Sequence, residues 1–350
     1  MERTRVLVTG GAGFIGSNLV AYLVARGHDV VVYDNLSRCG AQRNLAWLRR
    51  TYGPGSFRLV TADVADFDAL RAAARGAQRI YHLAGQVAVT TSIGDPRRDF
   101  FDNALGTLNA LEAARQAGSD PIFLYASTNK VYGGLEDVNI LEGASRLRFA
   151  DLPFGIPETW PLDFHSPYGC SKGAGDQYTR DYARIYGLRT VVARQSCIYG
   201  YRQHGVEDQG WMAWFAKAAL TGGSVTIFGS GKQVRDVLFI DDLLEFYEAA
   251  VKNIEVTKGQ VFNVGGGPEN TLSVWAEFGA LLEETLKQRI AVTYKDPRPG
   301  DQAVYISDIR KAGQWLGWRP RVSVQDGIAR LARWIQEDQI EGAREAQAQG

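Results

Sequence analysis

The 350-residue chain has little cysteine, no excess charge of either sign and no long apolar run. Lys plus Arg and Asp plus Glu number 39 each, so no overall field favours nucleic acid or an anionic membrane. Cys39, Cys170 and Cys197 are odd in number and far apart, and the charged start "MERTRVLVTG" passes into a strand-like run without a signal peptide. No apolar stretch approaches the roughly 20 residues of a membrane span. We therefore expect a reduced, cytoplasmic protein without a disulfide framework, a membrane segment or a nucleic-acid partner.

Short apolar runs alternate with helical patterns along most of the chain. These runs are rich in β-branched residues, and amphipathic stretches such as "GFIGSNLVAYLVARG" separate them. Continuous apolar strands between helices indicate a parallel sheet covered on both faces, with ligands beyond the carboxyl ends of the strands. The predicted fold class is α/β, a Rossmann-type doubly wound parallel sheet with a smaller α/β substrate-binding lobe in the C-terminal part. The predicted strands lie in "RVLVTG", "DVVVYD", "FRLVTAD", "QRIYHLAG", "PIFLYAS" and "LRTVVARQS".

The segment "TGGAGFIG" places Gly10, Gly13 and Gly16 between a predicted strand and the start of a helix. Glycine lets the backbone turn tightly and lie against a pyrophosphate, which meets free amide groups at the helix amino terminus. The next strand ends in Asp34, where a carboxylate can bind the ribose hydroxyls of an adenosine and would repel a 2′-phosphate. A glycine-rich turn with a surface aspartate is the alternative. The order of strand, helix and acid favours NAD as the cofactor, rather than NADP.

The regular alternation loosens after about residue 196, in the glycine-punctuated stretch "GYRQHGVEDQGWMAWFAKAAL". Further on, "VRDVLFIDDLLEFYEAAV" has the pattern of a strand and a capped helix, and we assign it to the sheet domain. The last residues are polar and are expected to fray. We predict an NAD-binding domain of 1–196 and about 234–262, a substrate lobe of about 197–233 and 263–340, and a tail of 341–350.

Tyr168 and Lys172 lie four residues apart in "HSPYGCSK", at the start of a predicted helix. This spacing puts both side chains on one helix face, so that the ammonium can lie near the phenol oxygen. A free phenol titrates near 10, and a base near neutrality needs a shift of about 3 units, or about 4 kcal/mol. Lys172 and a bound nicotinamide cation could supply that shift. Taken alone, however, such a pair is usually an ordinary helix surface.

The strings "TGGAGFIG", "STNKVYG" and "YGCSK" together resemble the extended short-chain dehydrogenase/reductase superfamily, which contains NAD-dependent epimerases and dehydratases. The resemblance covers essentially the whole chain. It implies a catalytic triad of Thr128, Tyr168 and Lys172. It also implies cofactor contacts, in addition to Tyr168 and Lys172, at Gly10, Gly13, Phe14, Ile15, Gly16, Asp34, Asn35, Ser37, Asp63, Val64, Leu83, Ala84, Gly85, Asn103 and Ser127.

The same resemblance implies a nucleotide-sugar substrate. Arg235 and Arg298 match positions that clamp the nucleotide of the sugar, and an arginine fork suits a pyrophosphate. Structural ion pairs are the alternative role for both arginines. The predicted substrate contacts are Gln86, Thr91, Asn129, Cys197, Gln209, Arg235, Arg298 and Asp301, with Thr90, His165 and Gln203 as further pocket residues.

The identities of Asn129 and Lys130 distinguish between two reactions that occur within the superfamily. In the sugar-nucleotide 4,6-dehydratases the catalytic Thr is followed by Asp and Glu, which expel water from the sugar. An amide cannot donate a proton as a general acid, and a lysine normally remains a cation. The elimination machinery is therefore missing, and the sequence predicts an isomerase, an epimerase that removes a hydride and returns it to the other face.

Longer strings, including "DNLSRCG", "HLAGQVAVTTSI" and "GVEDQGW", resemble the 2-epimerases of CDP-linked 3,6-dideoxyhexoses more closely than UDP-glucose 4-epimerases. This resemblance implies inversion at carbon 2. Cys197 departs from the asparagine that many 4-epimerases carry at that point. The alternatives are an epimerase of a UDP-hexose at carbon 4 or of another nucleotide sugar, and a non-catalytic NAD-binding regulatory protein. An intact triad argues against the last alternative.

Two predicted helices, one beginning near Pro96 and one carrying Tyr168, have apolar positions on more than one side. In the superfamily this pair of helices packs against its copy as a four-helix interface. We therefore expect a homodimer or a homotetramer. The alternative is that the second apolar stripe covers the sheet.

Overall fold

The computed structural model describes residues 3–348 except residues 208, 299 and 300. The apolar runs of the sequence form strands, and further short strands lie in the C-terminal part of the chain. The strands are β1 (Arg5–Thr9), β2 (Asp29–Asp34), β3 (Phe57–Thr61), β4 (Arg79–His82), β5 (Ile122–Thr128), β6 (Ile140–Glu142), β7 (Leu147–Phe149), β8 (Arg189–Gln195), β9 (Ile198–Tyr199), β10 (Val225–Phe228), β11 (Val234–Asp236), β12 (Leu238–Phe239), β13 (Gln260–Val264), β14 (Thr271–Ser273), β15 (Val292–Lys295) and β16 (Val304–Tyr305).

Helices follow most strands of the first half and cover both faces of the large sheet. A π-helical turn, Phe101–Leu105, joins two of them, and a 3₁₀ turn, Asn129–Tyr132, follows β5. The helices are α1 (Phe14–Val24), α2 (Ala41–Tyr52), α3 (Phe67–Ala74), α4 (Val89–Gly94), α5 (Pro96–Phe100), α6 (Gly106–Arg115), α7 (Ser166–Tyr186), α8 (Trp211–Leu220), α9 (Ile240–Lys252), α10 (Ile254–Thr257), α11 (Phe278–Leu286), α12 (Arg310–Leu316) and α13 (Val324–Ala348).

The large sheet has seven parallel strands in the order β13-β8-β5-β4-β1-β2-β3. The order of the strands along the chain reverses direction at β1. In doubly wound sheets the ligand binds in the crevice at such a reversal. The central strands are buried almost completely, which explains their continuous apolar runs. The predicted fold class is confirmed. All the carboxyl ends point to one edge, so Gly10, Asp34, Thr128 and Gln195 come to the same side of the molecule.

The strand predicted near Val234 does not join the large sheet. Instead β11 pairs with β14 and β16, and the seventh strand of the large sheet is β13. Asp236 ends β11 and is buried, and its carboxylate accepts hydrogen bonds from the amides of Gly267 (3.1 Å) and Ser307 (3.1 Å) and from the Ser196 hydroxyl (2.6 Å). Ser196 follows β8 and Gly267 follows β13, so these bonds tie β11 to the carboxyl edge of the large sheet, although its backbone pairs with β14 and β16.

The segment between β5 and α7 also packs towards the C-terminal part. Tyr132 and Ile156 form one apolar cluster with Val234 and Tyr305, away from the large sheet. The division into two domains stays a prediction. Fraying of the tail also stays a prediction, and α13 extends into the tail as far as Ala348. Among the described residues, no helix has the length and apolar character that a membrane crossing requires.

Candidate active site

A cleft of about 380 Å³ opens at the carboxyl edge of the large sheet. One wall comes from the ends of β1, β2, β4 and β5 with the start of α7, and the other from the stretch after β8 and the start of α8. Most of the predicted site residues lie in these walls. They are Gly10, Gly13, Phe14, Ile15, Gly16, Asp34, Asn35, Ser37, Asp63, Val64, Leu83, Ala84, Gly85, Ser127, Thr128, Asn129, Tyr168, Lys172, Cys197 and Gln209.

The glycine loop packs against α1 at distances that only glycine allows. A Cβ on Gly16 would lie 2.0 Å from the carbonyl oxygen of Gly10. A Cβ on Gly10, whose φ is +68°, would lie 2.8 Å from the amide nitrogen of Ala84. The loop and the amino terminus of α1 therefore form a bare cradle at the positive end of a helix dipole, which suits a pyrophosphate.

Asp34 lies at the end of β2 and is held by the same loop. Its Oδ2 accepts a hydrogen bond from the Ala12 amide (2.9 Å), and its Oδ1 accepts one from the Leu36 amide (2.8 Å). Burial raises the pKa of Asp34, whereas the hydrogen bonds from these backbone amides lower it. A fixed carboxylate beside a phosphate cradle fits a dinucleotide with free ribose hydroxyls, so the residues present fit NAD.

Thr128 and Tyr168 meet at the floor of the cleft. Thr128 is the last residue of β5, and Tyr168 lies in the first turn of α7; both side chains are buried. Burial raises the pKa of Tyr168 to about 12, while a hydrogen bond from Thr128 and the charge of Arg38 lower it. In the protein alone Tyr168 is therefore a neutral phenol, ready to donate a proton. For Tyr168 to act as a base, nearby cations would have to lower its pKa towards neutrality.

Lys172 lies one helical turn after Tyr168. Its Nζ donates a hydrogen bond of 2.6 Å to the carbonyl oxygen of Ala126 and lies 4.3 Å from the centre of the Tyr125 ring. Burial lowers the pKa of Lys172 to about 7, against the opposing effects of Asp176 and Asp99. The ammonium is thus fixed in place, and its charge can be lost near neutrality.

Asn129 and Lys130 are both engaged with the segment after β15. The Asn129 amide donates to Oε1 of Gln302 (3.1 Å), and the Lys130 ammonium lies 4.0 Å from Oδ1 of Asp301. Arg235 donates to the same Asp301 oxygen at 2.6 Å. Burial lowers the pKa of Lys130 to about 8, so the side chain is mostly a cation at pH 7. The Asn129 amide cannot donate a proton as the acid of an elimination, and a protonated Lys130 cannot accept one as its base.

Gln203, a further predicted pocket residue, also lines the cleft, whereas the remaining predicted residues are not among its lining residues. Gln86 hydrogen-bonds its own loop, and Thr91 is exposed on α4. Asn103 is buried in the π-helical turn and donates to the carbonyl oxygen of Gln86 (3.0 Å). Arg298 lies over the Phe228 ring, 4.0 Å from its centre. Arg235 and Asp301 form the ion pair described above. The roles predicted for these residues therefore remain predictions.

Several cleft residues were not predicted, among them Arg38, Gln195 and Trp211. Arg38, in the loop after β2, donates to Oε1 of Gln209 (2.6 Å) and joins the two walls. Gln195 ends β8, and Trp211 begins α8, where it hydrogen-bonds the Cys197 thiol. The sequence carried one signal for Arg38, a basic residue four positions after the acid that ends β2. Gln195 and Trp211 carried none, because strand ends and helix starts are polar or aromatic in many settings.

Nearly the whole chain is similar to several known proteins. The profile of the family described as GDP-mannose 4,6 dehydratase matches residues 7–331. The CDP-paratose 2-epimerase of Salmonella typhi is 45% identical over 94% of this chain and 98% of its own. The UDP-glucose 4-epimerase of Thermotoga maritima, solved with UDP-glucose, is 31% identical, covers 95% of this chain and 99% of its own, and superposes with a TM-score of 0.81. The UDP-glucuronic acid 4-epimerase of Bacillus cereus, solved with UDP-glucuronic acid and NAD, is 28% identical at the same coverage, with a TM-score of 0.82.

The fold and the matching proteins place the chain among the short-chain dehydrogenases/reductases of the extended type, as the sequence motifs predict. Within that class, the chain belongs to the GDP-mannose 4,6 dehydratase family. The family takes its name from a dehydratase. Asn129 and Lys130, however, occupy the positions after Thr128 where the dehydratases carry their acid and base, so the family name does not fix the reaction of this member.

Proposed function

We propose that this chain is an NAD-dependent nucleotide-sugar epimerase that converts CDP-paratose to CDP-tyvelose by inversion at carbon 2. The observation that carries the proposal is the 45% identity to a CDP-paratose 2-epimerase over 94% of the chain. The site supports it, because the Thr128, Tyr168 and Lys172 set is complete and an elimination pair is missing from the cleft as described. The alternative of a non-catalytic regulatory protein has no support in these relatives.

The chain's own residues move the protons of this reaction. The glycine loop and Asp34 would hold NAD, which would supply the hydride acceptor and donor for oxidation of the sugar carbon and reduction of the ketone from the opposite face. Tyr168 takes the proton of the sugar hydroxyl during oxidation and gives it back during reduction, with Thr128 orienting the phenol. Lys172 contributes positive charge beside the phenol. The hydride leaves and returns within one turnover, so the cofactor is regenerated and need not dissociate.

Arg235 and Arg298 are proposed to bind the diphosphate of the substrate. The Arg235 side chain is only 8% exposed, and Asp301, the carboxylate that it pairs with among the described residues, is itself shared with Lys130. Two cations around one carboxylate leave an excess positive charge in a partly desolvated place, which favours a dianionic diphosphate. A bound diphosphate would thus add negative charge beside Arg235 and Lys130, which share one carboxylate among the described residues.

CDP-paratose carrying deuterium at carbon 2 tests the reaction. The proposal expects CDP-tyvelose with the label retained at carbon 2 and little solvent hydrogen, because the reduced cofactor keeps the label until it returns. Deprotonation next to a carbonyl would exchange the label with solvent, so solvent hydrogen at carbon 2 in step with turnover would refute hydride transfer.

UDP-glucose and UDP-galactose, assayed in parallel, separate the second candidate function. A 4-epimerase would leave the hydrogen on carbon 2 untouched and would convert a UDP-hexose. The 31% identity to a UDP-glucose 4-epimerase makes this the strongest alternative. Inert CDP-paratose alongside an active UDP-hexose would overturn the substrate assignment and leave the triad in place.

We also propose a homodimer or homotetramer, formed through α5, the π-helical turn and α7. Large apolar side chains on these elements are exposed in the single chain: Phe100 by 55%, Phe101 by 40%, Ile185 by 66% and Tyr186 by 54%. Exposed apolar side chains that lie on adjacent helices are typical of subunit interfaces. A cytoplasmic location is supported by the three cysteines, all of which are free thiols.

A further inference from the structure

The face of α7 that carries Tyr168 and Lys172 continues one helical turn further to Asp176. These three residues recur every four positions, so their side chains lie along one side of the helix. Asp176 is completely buried, and the proposed mechanism does not use it. A buried carboxylate is costly unless its charge is paired and hydrogen-bonded. The partners of Asp176 therefore show how the catalytic face of α7 is anchored.

The end of β5 meets this face of α7 at neighbouring residues. The carbonyl oxygen of Ala126 accepts a hydrogen bond of 2.6 Å from Nζ of Lys172, and the hydroxyl of Ser127 donates one of 2.8 Å to Oδ2 of Asp176. Thr128, the next residue of the strand, belongs to the catalytic triad. Two side chains one turn apart on the helix thus bond two neighbouring residues of the strand, and these bonds fix the helix against the strand end.

Arg194, on β8, holds Asp176 from another strand. Its Nε and Nη2 bind the two oxygens of the Asp176 carboxylate at 2.9 Å each, and its side chain is only 2% exposed. Its Nη1 donates to the Tyr132 hydroxyl at 2.9 Å, and that hydroxyl donates to Oδ1 of Asn263, on β13, at 2.8 Å. A bidentate pair between arginine and carboxylate has a defined geometry. Asp176 therefore cannot shift without disturbing β8 and the 3₁₀ turn after β5.

Stability alone gives little reason for a buried ion pair at this place. The cost of removing two charges from water is comparable with their mutual attraction, and apolar side chains of similar volume often serve as well. The feature that apolar side chains would lack is direction. Hydrogen bonds from β5 and from β8 converge on one carboxylate of α7, so the pair orients the helix as well as packing against it.

We propose that Ser127, Asp176 and Arg194 are positioning residues for the catalytic triad. Their hydrogen bonds hold α7 at one place along the end of β5, and this place sets how the phenol and the ammonium of α7 lie relative to Thr128. A misplacement of about 1 Å can lower a rate by about 100-fold, because the reacting groups no longer meet in productive geometry. The inference rests on the proposed roles of the triad.

Ser127 also lines the cleft, where the sequence predicts a contact with the cofactor. Its hydroxyl has one proton, however, and donates it to Asp176. The two roles have different consequences. Loss of a cofactor contact would weaken the retention of NAD, whereas loss of the bond to α7 leaves NAD bound and slows the chemical step.

The test uses Ser127→Ala, which removes one hydrogen bond and leaves Asp176 paired with Arg194. Turnover of CDP-paratose is measured per mole of bound NAD in folded protein, so an inactive fraction does not enter the rate. We expect kcat to fall by about 10-fold to 100-fold, with KM and the NAD content unchanged. If CDP-paratose is inert and a UDP-hexose is converted, the same constants are measured with that UDP-hexose.

Thr190→Val is the matched control. Thr190 is also completely buried, and its hydroxyl donates to the carbonyl oxygen of Thr179 in α7 at 2.8 Å, but it lies at the amino end of β8, away from the cleft. This variant likewise removes a hydrogen bond between a strand and α7, and it should leave kcat unchanged. An equal fall of kcat in both variants would mean that any loosened contact of α7 slows turnover, and it would contradict the proposal.

Hydrogen exchange supplies a readout that needs no substrate. The backbone amides of residues 126–132 should exchange faster in Ser127→Ala than in the unaltered protein, and Thr190→Val should not change them. Faster exchange in a protein whose unaltered form converts no nucleotide sugar would retain the network and refute the proposed function separately.

Two outcomes overturn the inference. The first is unchanged turnover or unchanged exchange in folded Ser127→Ala. The second is a fall of kcat that accompanies an equal fall of bound NAD before normalisation, which would assign the hydroxyl to the cofactor instead. Ser127→Cys, which has nearly the same shape and only a weak donor, replaces Ser127→Ala in both measurements if the alanine variant does not fold.

Discussion

Oδ1 of Asp301 accepts a 2.6 Å hydrogen bond from Nη2 of Arg235. The same oxygen lies 4.0 Å from the Lys130 ammonium, so one carboxylate serves two cations. The charges of Arg235 and Lys130 both lower the pKa of Asp301, whereas burial raises it. A diphosphate arriving beside Arg235 therefore meets a cation that is already oriented by a fixed partner.

Arg235→Gln should weaken the binding of CDP by about 10-fold to 100-fold, because it removes hydrogen bonds between a cation and an anion, worth about 1.5–3 kcal/mol each. Isothermal titration of CDP into the NAD-loaded protein measures the change. Arg310→Gln is the matched control, since Arg310 pairs with Asp308 and its side chain is 55% exposed. Unchanged CDP affinity in Arg235→Gln would remove Arg235 from the substrate site.

Tyr168→Phe should lower turnover by about two to four orders of magnitude, because it removes the group that exchanges a proton with the sugar. The variant should still retain NAD, since the glycine loop and Asp34 are untouched. Steady-state rates and the NAD content of the purified protein measure the two effects. Tyr178→Phe, an exposed tyrosine on the same helix, should leave both unaltered. Full activity in Tyr168→Phe would refute the triad assignment.

Asp34→Ala should weaken the retention of NAD and relax discrimination against NADP. The carboxylate organises the glycine loop through the Ala12 amide at 2.9 Å, and it would repel a 2′-phosphate. The cofactor released by denaturation gives the retained fraction, and fluorescence titration gives the two affinities. Equal binding of NAD and NADP by the unaltered protein would contradict the role given to Asp34.

Local patterns predicted the features whose geometry depends on near neighbours in the chain. Tyr168 and Lys172 could be placed on one face of a helix because the helical repeat is local, and Gly10 with Gly16 could be placed at a strand end for the same reason. Parallel order then brings the carboxyl ends of separate strands together. The placement of Thr128, Tyr168 and Lys172 in one cleft with the bare glycine loop follows from these two regularities.

Features that depend on burial could not be predicted in this way. Asp99 and Arg38 are charged residues in stretches that would equally suit a solvated surface, but tertiary packing buries Asp99 completely and places Arg38 in the wall of the cleft. The strand near Val234 has the composition of a large-sheet strand, but its backbone pairs with the distant strands β14 and β16 in a small sheet. Such long-range partners leave no periodic signal.

The apolar face of α5 and α7 leads to a prediction about assembly. Phe100→Asp combined with Ile185→Asp should give monomers, because a charge buried in an apolar interface costs several kcal/mol. Light scattering at micromolar protein measures the mass. Ile340→Asp places the same charge on an apolar residue that is 54% exposed on α13, and it should leave the mass unchanged. A strictly monomeric mass for the unaltered protein would refute the predicted oligomer.

His82 should make stability depend on pH in mildly acid solution. It is fully buried, with ring nitrogens 2.8 Å from the Thr9 hydroxyl and 3.1 Å from the Thr107 hydroxyl, and burial lowers its pKa to about 3. The unfolded chain binds a proton at this histidine below about pH 6.5, whereas the native protein does not. The free energy of unfolding should therefore fall by about 2 kcal/mol from this residue alone between pH 7.5 and pH 5.

Gln in place of His82 isolates this effect, because glutamine can still bond the two hydroxyls but does not titrate. Urea unfolding of both proteins at pH 7.5 and pH 5, at one protein concentration and without added cofactor, gives the comparison. Buried acids such as Asp236, whose pKa is raised, gain relative stability as the pH falls, but they are common to both proteins and cancel in the difference. The gap in stability between the two proteins should narrow at pH 5 by about 2 kcal/mol, in favour of His82→Gln. An equal gap at both pH values would mean that His82 is protonated in the native protein as readily as in the unfolded chain.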